Sequence, residues 1–285
     1  MKEYEIKHRT PAILVLLILL VILLLSLTLW PVDVLPVRRE VEAVRTAISE
    51  TGRIVHAGGF LWTEDGDLVA YTNSWDALVN MYGQGNRICE IDIRETYDGV
   101  LVCAHGDDVH LATGSDLPVT ATAEEFENTR IFGEFTPMTV DMLADFMREH
   151  PDLYIITDAQ GDNLDICRKL AGAYPDLKDR FIIQIYHEDE YDGIRGMGFQ
   201  YVIYTLYRSE DAERNLWQVG RFAQSHELVG ITAQRELFDS LKNRLAMACC
   251  GTPYMFHTVD DVHVLEEMLR KPYVCAVYTD FTGAG

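Results

Sequence analysis

The chain has 285 residues, 24 % of them charged, and a formal charge of −21. Its length fits two ordinary domains or one α/β barrel of about 250 residues, so the pattern along the chain has to decide. The acidic balance argues against a nucleic-acid partner and against a polybasic membrane-surface protein, because such a surface repels phosphate backbones; an anionic substrate needs a local positive centre, which a bound cation supplies.

A short tail, residues 1–10, precedes an uncharged stretch of 20 residues at 11–30. As a helix this stretch rises about 30 Å, the thickness of a hydrocarbon core, and no small-residue cleavage site follows it. A single transmembrane helix over 11–30 is therefore expected, anchoring the protein in the cell membrane. Lys2, Lys7 and Arg9 favour an inside amino terminus with the remainder of the chain outside, against the weaker pull of Arg38, Arg39 and Arg45 behind the span. Residues 31–52 read as a linker and an amphipathic helix, with Val37, Val41, Val44 and Ile48 at helical spacing.

From residue 53 to 285, short apolar, β-branched runs alternate with amphipathic helical patterns. The runs fall at 54–57, 87–93, 153–159, 181–186, 201–206, 228–232, 254–258 and 274–280. Strands separated by helices imply parallel pairing, and eight such units predict a closed (β/α)8 TIM barrel, fold class α/β. A hairpin is expected after the second strand, where Asp98-Gly99 is the turn signal before 101–105. Only five residues follow Asp280, too few for an eighth outer helix, so the helix near 37–48 is expected to cover that gap. The loop 60–70, carrying Trp62 and leading to Tyr71, reads as a lid, a lipid-facing rim or a plain surface loop. The six cysteines show no C-x-x-C and no zinc spacing, and most lie in apolar runs as buried thiols.

Barrels of this type carry their chemistry at the carboxyl ends of the strands. His56 closes the first run and is followed by Ala57-Gly58-Gly59; Glu90 and Asp92, at i and i+2, share one face of the second; His105 ends the hairpin and Asp158 closes the third run. Carboxylates on the inward face of a buried parallel strand are costly unless paired or metal-bound. Glu90, Asp92 and Asp158 are predicted to converge as an oxygen-only site suited to Ca²⁺ or Mg²⁺. His56 and His105 fit the proton-transfer roles of phosphoryl chemistry, in an order the sequence leaves open. Gln184, Tyr186, Tyr207 and His257, at the ends of strands, are expected to line the mouth.

These residues also carry a resemblance. His56-Ala57-Gly58-Gly59, Tyr71-Thr72-Asn73-Ser74, Cys89-Glu90-Ile91-Asp92, Val102-Cys103-Ala104-His105, Tyr154-Ile155-Ile156-Thr157-Asp158, His257-Thr258-Val259 and Tyr278-Thr279-Asp280-Phe281 occur in that order. The pattern resembles the glycerophosphodiester phosphodiesterases, in particular their bacterial H-A-G-G branch, over roughly residues 53–282, nearly all of the chain beyond the expected span and linker. The resemblance implies a barrel of the phosphatidylinositol-phospholipase-C-like type, His56 and His105 as acid/base pair, Glu90, Asp92 and Asp158 as metal ligands, and release of an alcohol and a glycerol phosphate from a small or lipid-derived phosphodiester. Three departures stand out. Ala57 replaces the arginine of the common H-R form, Asp158-Ala159-Gln160 replaces E-x-K, and Gly106 separates His105 from Asp107. Arg94 and Arg208 are the candidate replacements for the missing cations. The alternatives are a phospholipase C- or D-like activity on intact phospholipid and a silent barrel that binds a phosphorylated ligand.

Overall fold

The computed structural model describes residues 39–208 and 215–281, together with Ile18. The predicted span, 11–30, lies outside the described residues apart from Ile18; among the described residues no helix is long and apolar enough to cross a membrane. By its internal contacts the chain forms a unit over 37–285 and a separate one over 1–36.

The first unit is built from β1 (Arg53–Val55), β2 (Phe60–Trp62), β3 (Leu68–Ala70), β4 (Ile88–Glu95), β5 (Leu101–Cys103), β6 (Met138–Thr139), β7 (Tyr154–Ala159), β8 (Phe181–Ile185), β9 (Tyr201–Thr205), β10 (Gly230–Gln234), β11 (Tyr254–His257) and β12 (Val274–Thr279). Its helices are α1 (Arg39–Thr51), α2 (Trp75–Gly83), α3 (Ala123–Glu127), α4 (Val140–Glu149), α5 (Asn163–Ala173), α6 (Glu190–Gly196), α7 (Leu216–Ser225), α8 (Leu241–Cys250) and α9 (Val262–Leu269). The parallel order β1-β12-β11-β10-β9-β8-β7-β4 closes on itself because β1 pairs with both β12, through Arg53↔Val277, and β4, through Val55↔Cys89. All eight expected strands are present as a closed barrel with helices. The expected hairpin is there too: β5 runs antiparallel to β4 with Arg94 opposite Val102, and β6 extends it.

Alternation along each strand divides the core into two apolar regions. Cys89, Ile91 and Ile93 of β4, with Ile155, Ile183, Val202 and Val277, pack outward against Leu78 and Met81 of α2, Leu143 and Met147 of α4, and Ile166 and Leu170 of α5. Ile54, Ile88, Ile156, Ile182, Ile203, Met255 and Ala276 form a separate cluster at the strands' amino-terminal halves. On the same parity, two or four residues further along, come His56, Glu90, Asp92, Asp158, Gln184, Thr205 and His257. The barrel interior is thus apolar at its amino-terminal end and polar at its carboxyl end.

Two elements differ from expectation. α1 does not lie along the barrel wall as a substitute eighth helix. Its buried face, Val41, Val44 and Ile48, joins the interior apolar cluster, and Arg45 donates to the carbonyls of Leu228 at 2.6 Å and Val229 at 3.1 Å, just before β10. The helix closes the amino-terminal mouth, where those inward side chains otherwise face water. The segment 60–70 is no plain loop but a two-stranded hairpin, β2–β3, in which Trp62 pairs with Leu68; the turn is tied by Thr63 N–H to the Asp67 carbonyl at 2.9 Å and reverses at Gly66 with φ +85°. Five of the six cysteines are buried and Cys249 is exposed.

Candidate active site

Where the polar interior layer opens, a cavity of about 230 Å³ is lined by His56, Tyr71, Glu90, His105, Asp158, Gln184, Tyr207 and His257, with Thr205, Thr232, Thr258 and Tyr278. Ligand pockets for drug-sized molecules begin near about 300 Å³, so this one matches a head group rather than acyl chains.

Each carboxylate is held by its own set of donors. Glu90, 3 % exposed, accepts from the Ala57 N–H at 2.9 Å and faces His56 Nε2 at 3.9 Å through the same oxygen; its Oε1 is buried without a partner. Asp92, 1 % exposed, accepts from the side-chain amides of Asn73 at 2.8 Å and Gln160 at 2.7 Å, one per oxygen, while its own N–H donates to Asn73 Oδ1 at 3.0 Å. Asp158 accepts from Tyr186, from Tyr207 at 2.9 Å to both oxygens, and from Arg208 at 3.4 Å. One oxygen from each of Glu90, Asp92 and Asp158 lies within 4.8 Å of the others. Burial, then the charges of Asp92 and Asp158, pushes Glu90 well above the carboxylate range, and burial with Asp158 pushes Asp92 up to about 7. Three clustered carboxylates with an orphaned oxygen are a poor resting arrangement and a good hard-cation donor set. The residues fit a divalent ion.

The two histidines differ in support. His56 Nδ1 lies 2.7 Å from Asp280 Oδ1, so the proton is assigned to Nδ1 and Nε2 is left as an acceptor toward the cavity. His105 is half-buried, and burial lowers its pKa, as do the charges of Arg94, Arg208 and His56, against the pull of Asp158. His257, pushed down to about 4 by burial and by His56, keeps its buried Nε2 without a partner.

Of the expected mouth residues Gln184, Tyr207 and His257 line the cavity, while Tyr186 and both candidate arginines sit elsewhere. Tyr186, 3 % exposed, lies behind the cavity wall, accepting from the Ala159 N–H at 2.8 Å while donating to Asp158, because Asp158 needs a buried donor there. Arg208 does not line the cavity: it reaches the Ala159 carbonyl at 2.7 Å and stacks 4.2 Å over the Tyr186 ring. Arg94 is absent from the lining as well, its Nε and Nη1 buried without partners beneath Gly106. A Cβ at Gly106 meets Arg94 Nη1 at 2.7 Å and the His110 carbonyl at 2.4 Å, which explains the glycine inserted after His105. Sequence reasoning missed Asp280, Asn73 and Gln160 as partners of His56 and Asp92, although Asn73 and Asp280 lie within the quoted motifs.

A family model described as the glycerophosphoryl diester phosphodiesterase family matches residues 65–284. The chain belongs to that family. It is a phosphoric diester hydrolase, and its fold is shared by solved family structures of low identity. The glycerophosphodiester phosphodiesterase of Thermotoga maritima superposes with a TM-score of 0.62 at 16 % identity, over 81 % of this chain and 95 % of that one. One from Parabacteroides distasonis gives 0.60 at 19 %, over 80 % and 93 %. An Oleispira antarctica phosphodiesterase, solved with the product sn-glycerol-3-phosphate, gives 0.58 at 15 %, over 81 % and 93 %. No curated protein sequence matches the chain.

Proposed function

We propose that this phosphodiesterase hydrolyses a glycerophosphodiester to an alcohol and a glycerol phosphate, with His56 and His105 moving the protons and Glu90, Asp92 and Asp158 holding one Ca²⁺ or Mg²⁺. The observation that carries the reading is that both histidines, Glu90 and Asp158 open onto one head-group-sized cavity, with Asp92 joined to the same carboxylate cluster. A bound divalent cation there neutralises charge on the phosphoryl oxygens. The chain's own residues do the rest. Asp280 holds His56 as the tautomer whose Nε2 takes a proton from an attacking water, or from a glycerol hydroxyl whose cyclic phosphate a water then opens to the glycerol phosphate. His105, in its protonated form, gives a proton to the leaving oxygen across the phosphorus; the assignment of acid and base reverses if attack comes from the other face. Gln184 and His257 line the substrate's remaining surface, and Arg94, with two unclaimed guanidinium nitrogens near His105, is the candidate long-range replacement for the arginine absent at Ala57.

Intact phospholipid is the second reading, favoured by Trp62 and Leu68, 62 % and 41 % exposed on the hairpin between His56 and Tyr71. The membrane anchor at 11–30, with the barrel outside the cell, belongs to the proposal as well. The test is hydrolysis of glycerophosphodiesters and lysophospholipids by the full chain in detergent, first with chelator and then with Ca²⁺, Mg²⁺ or Mn²⁺ restored. Metal-dependent release of alcohol from soluble diesters is expected; activity confined to micelles favours the lipid reading, and none with any metal or substrate overturns both.

A further inference from the structure

The hairpin β2–β3 ends by delivering Tyr71 into the site. Its ring lies between the two histidines, 4.8 Å from that of His56 and 4.9 Å from that of His105, and it lines the cavity. Its backbone is left-handed, with φ +65°, and so are those of Asn73 at +50° and Ala57 at +46°. Non-glycine residues rarely adopt this region unless the surroundings enforce it, and such outliers gather at functional sites. The enforcing contacts are visible. Asn73 N–H donates to the Ala57 carbonyl at 3.0 Å, and the Asn73 side chain clasps Asp92 through two hydrogen bonds. Tyr71 is therefore fixed by the turn that also fixes a carboxylate of the cluster.

A phosphoryl group between the histidines needs donors, yet none of the cavity-lining residues is a lysine or arginine. Among the neutral donors there, Tyr207 is committed to Asp158 and Thr232 pairs with Tyr278; Gln184, Thr205 and Thr258 also line the cavity, but Tyr71 is the lining donor whose ring contacts both His56 and His105. The Tyr71 hydroxyl makes no hydrogen bond among the described residues. We propose that Tyr71 contacts the substrate: its ring holds the two imidazoles on either side of the reacting group, and its hydroxyl donates to a phosphoryl oxygen. This rests on the hydrolytic reading above and adds a residue to it.

The experiment compares full-length wild type with Tyr71→Phe and Tyr71→Ala, using glycerophosphocholine turnover with saturating divalent cation and equilibrium binding of sn-glycerol 3-phosphate. Loss of a hydrogen bond to a charged oxygen lowers affinity by about tenfold to a hundredfold. Tyr71→Phe is expected to lose at least tenfold in both glycerol-phosphate affinity and kcat/KM, with an unchanged melting temperature. Tyr71→Ala is expected also to move the pH profile of kcat, because the imidazoles lose their spacer. An active wild type with a Tyr71→Phe variant within twofold of it in both measures overturns the proposal and leaves the hydrolytic reading standing. A wild type that neither turns over the diester nor binds glycerol phosphate overturns both.

Discussion

Asp280 sets the protonation geometry of His56, and its removal separates orientation from ionisation. Asp280→Asn keeps a hydrogen-bonding group of the same size 2.7 Å from Nδ1 but can present its amide N–H there, driving the imidazole proton to Nε2. A general base contributes about 10²–10⁴ in rate, so the substitution is expected to lower kcat by part of that, about tenfold to a hundredfold, with little change in KM. Equal losses for Asp280→Asn and Asp280→Ala are expected if the tautomer matters; full activity in Asp280→Asn removes Asp280 from the mechanism. The carboxylate cluster makes a second prediction. With chelator present, the folded state keeps protons on Glu90 and Asp92 where the unfolded chain has lost them, since both pKa values are raised, that of Asp92 to about 7. Unfolding free energy then falls as pH rises from the ordinary carboxylate range through about 7. The melting temperature in chelator, taken relative to Asp92→Asn so that the opposing rise from the burial-lowered His105 and His257 cancels, should decline between pH 5 and pH 8, and a saturating divalent cation should flatten that decline by favouring the ionised carboxylates. A difference that rises over that range contradicts the cluster's assigned charge state.

At the scale of elements, the barrel strands are readable because each is a short apolar run, β-branched or aromatic, buried on both faces, with helical patterns between the runs. The polar residue closing each run then marked the site, as His56 and Asp158 did. What stayed hidden has physical causes. The β2–β3 strands are three residues long and flank an acidic turn, so hydrophobic periodicity had too little to work on. The placement of α1 depends on which end of the barrel is open, and its Val41, Val44, Ile48 stripe fits a wall or a plug equally well. The pairing of Asp280 with His56 joins the two ends of the domain, and no local signal records it. The plug makes a stability prediction. Ile48 is fully buried at the base of the barrel, and Ile48→Ala should destabilise by about 2–5 kcal/mol, the range for deleting a buried aliphatic side chain. Leu241, at the start of α8 and 66 % exposed, is the control, with Leu241→Ala staying within about 0.5 kcal/mol. Urea midpoints for the two variants read the difference directly, and equal midpoints mean that α1 does not close the barrel.

At the scale of the whole molecule, the charge of −21 favours a cation and opposes an anionic substrate through the same field. The two effects can be separated by holding the divalent cation saturating and comparing two glycerophosphodiesters of different net charge. Glycerophosphoglycerol is a monoanion and glycerophosphocholine a zwitterion, so only the first has a net charge for the protein's field to repel over long range. Raising monovalent salt from about 10 mM to about 150 mM shortens the Debye length from about 30 Å to about 8 Å. The kcat/KM for glycerophosphoglycerol should therefore rise severalfold across that range while that for glycerophosphocholine stays nearly level. Parallel responses place the salt effect on the cation site instead. A falling kcat/KM for the monoanion alone means that the local field at the cavity is positive once the cation is bound, with the remote acidic surface too well screened to govern encounter.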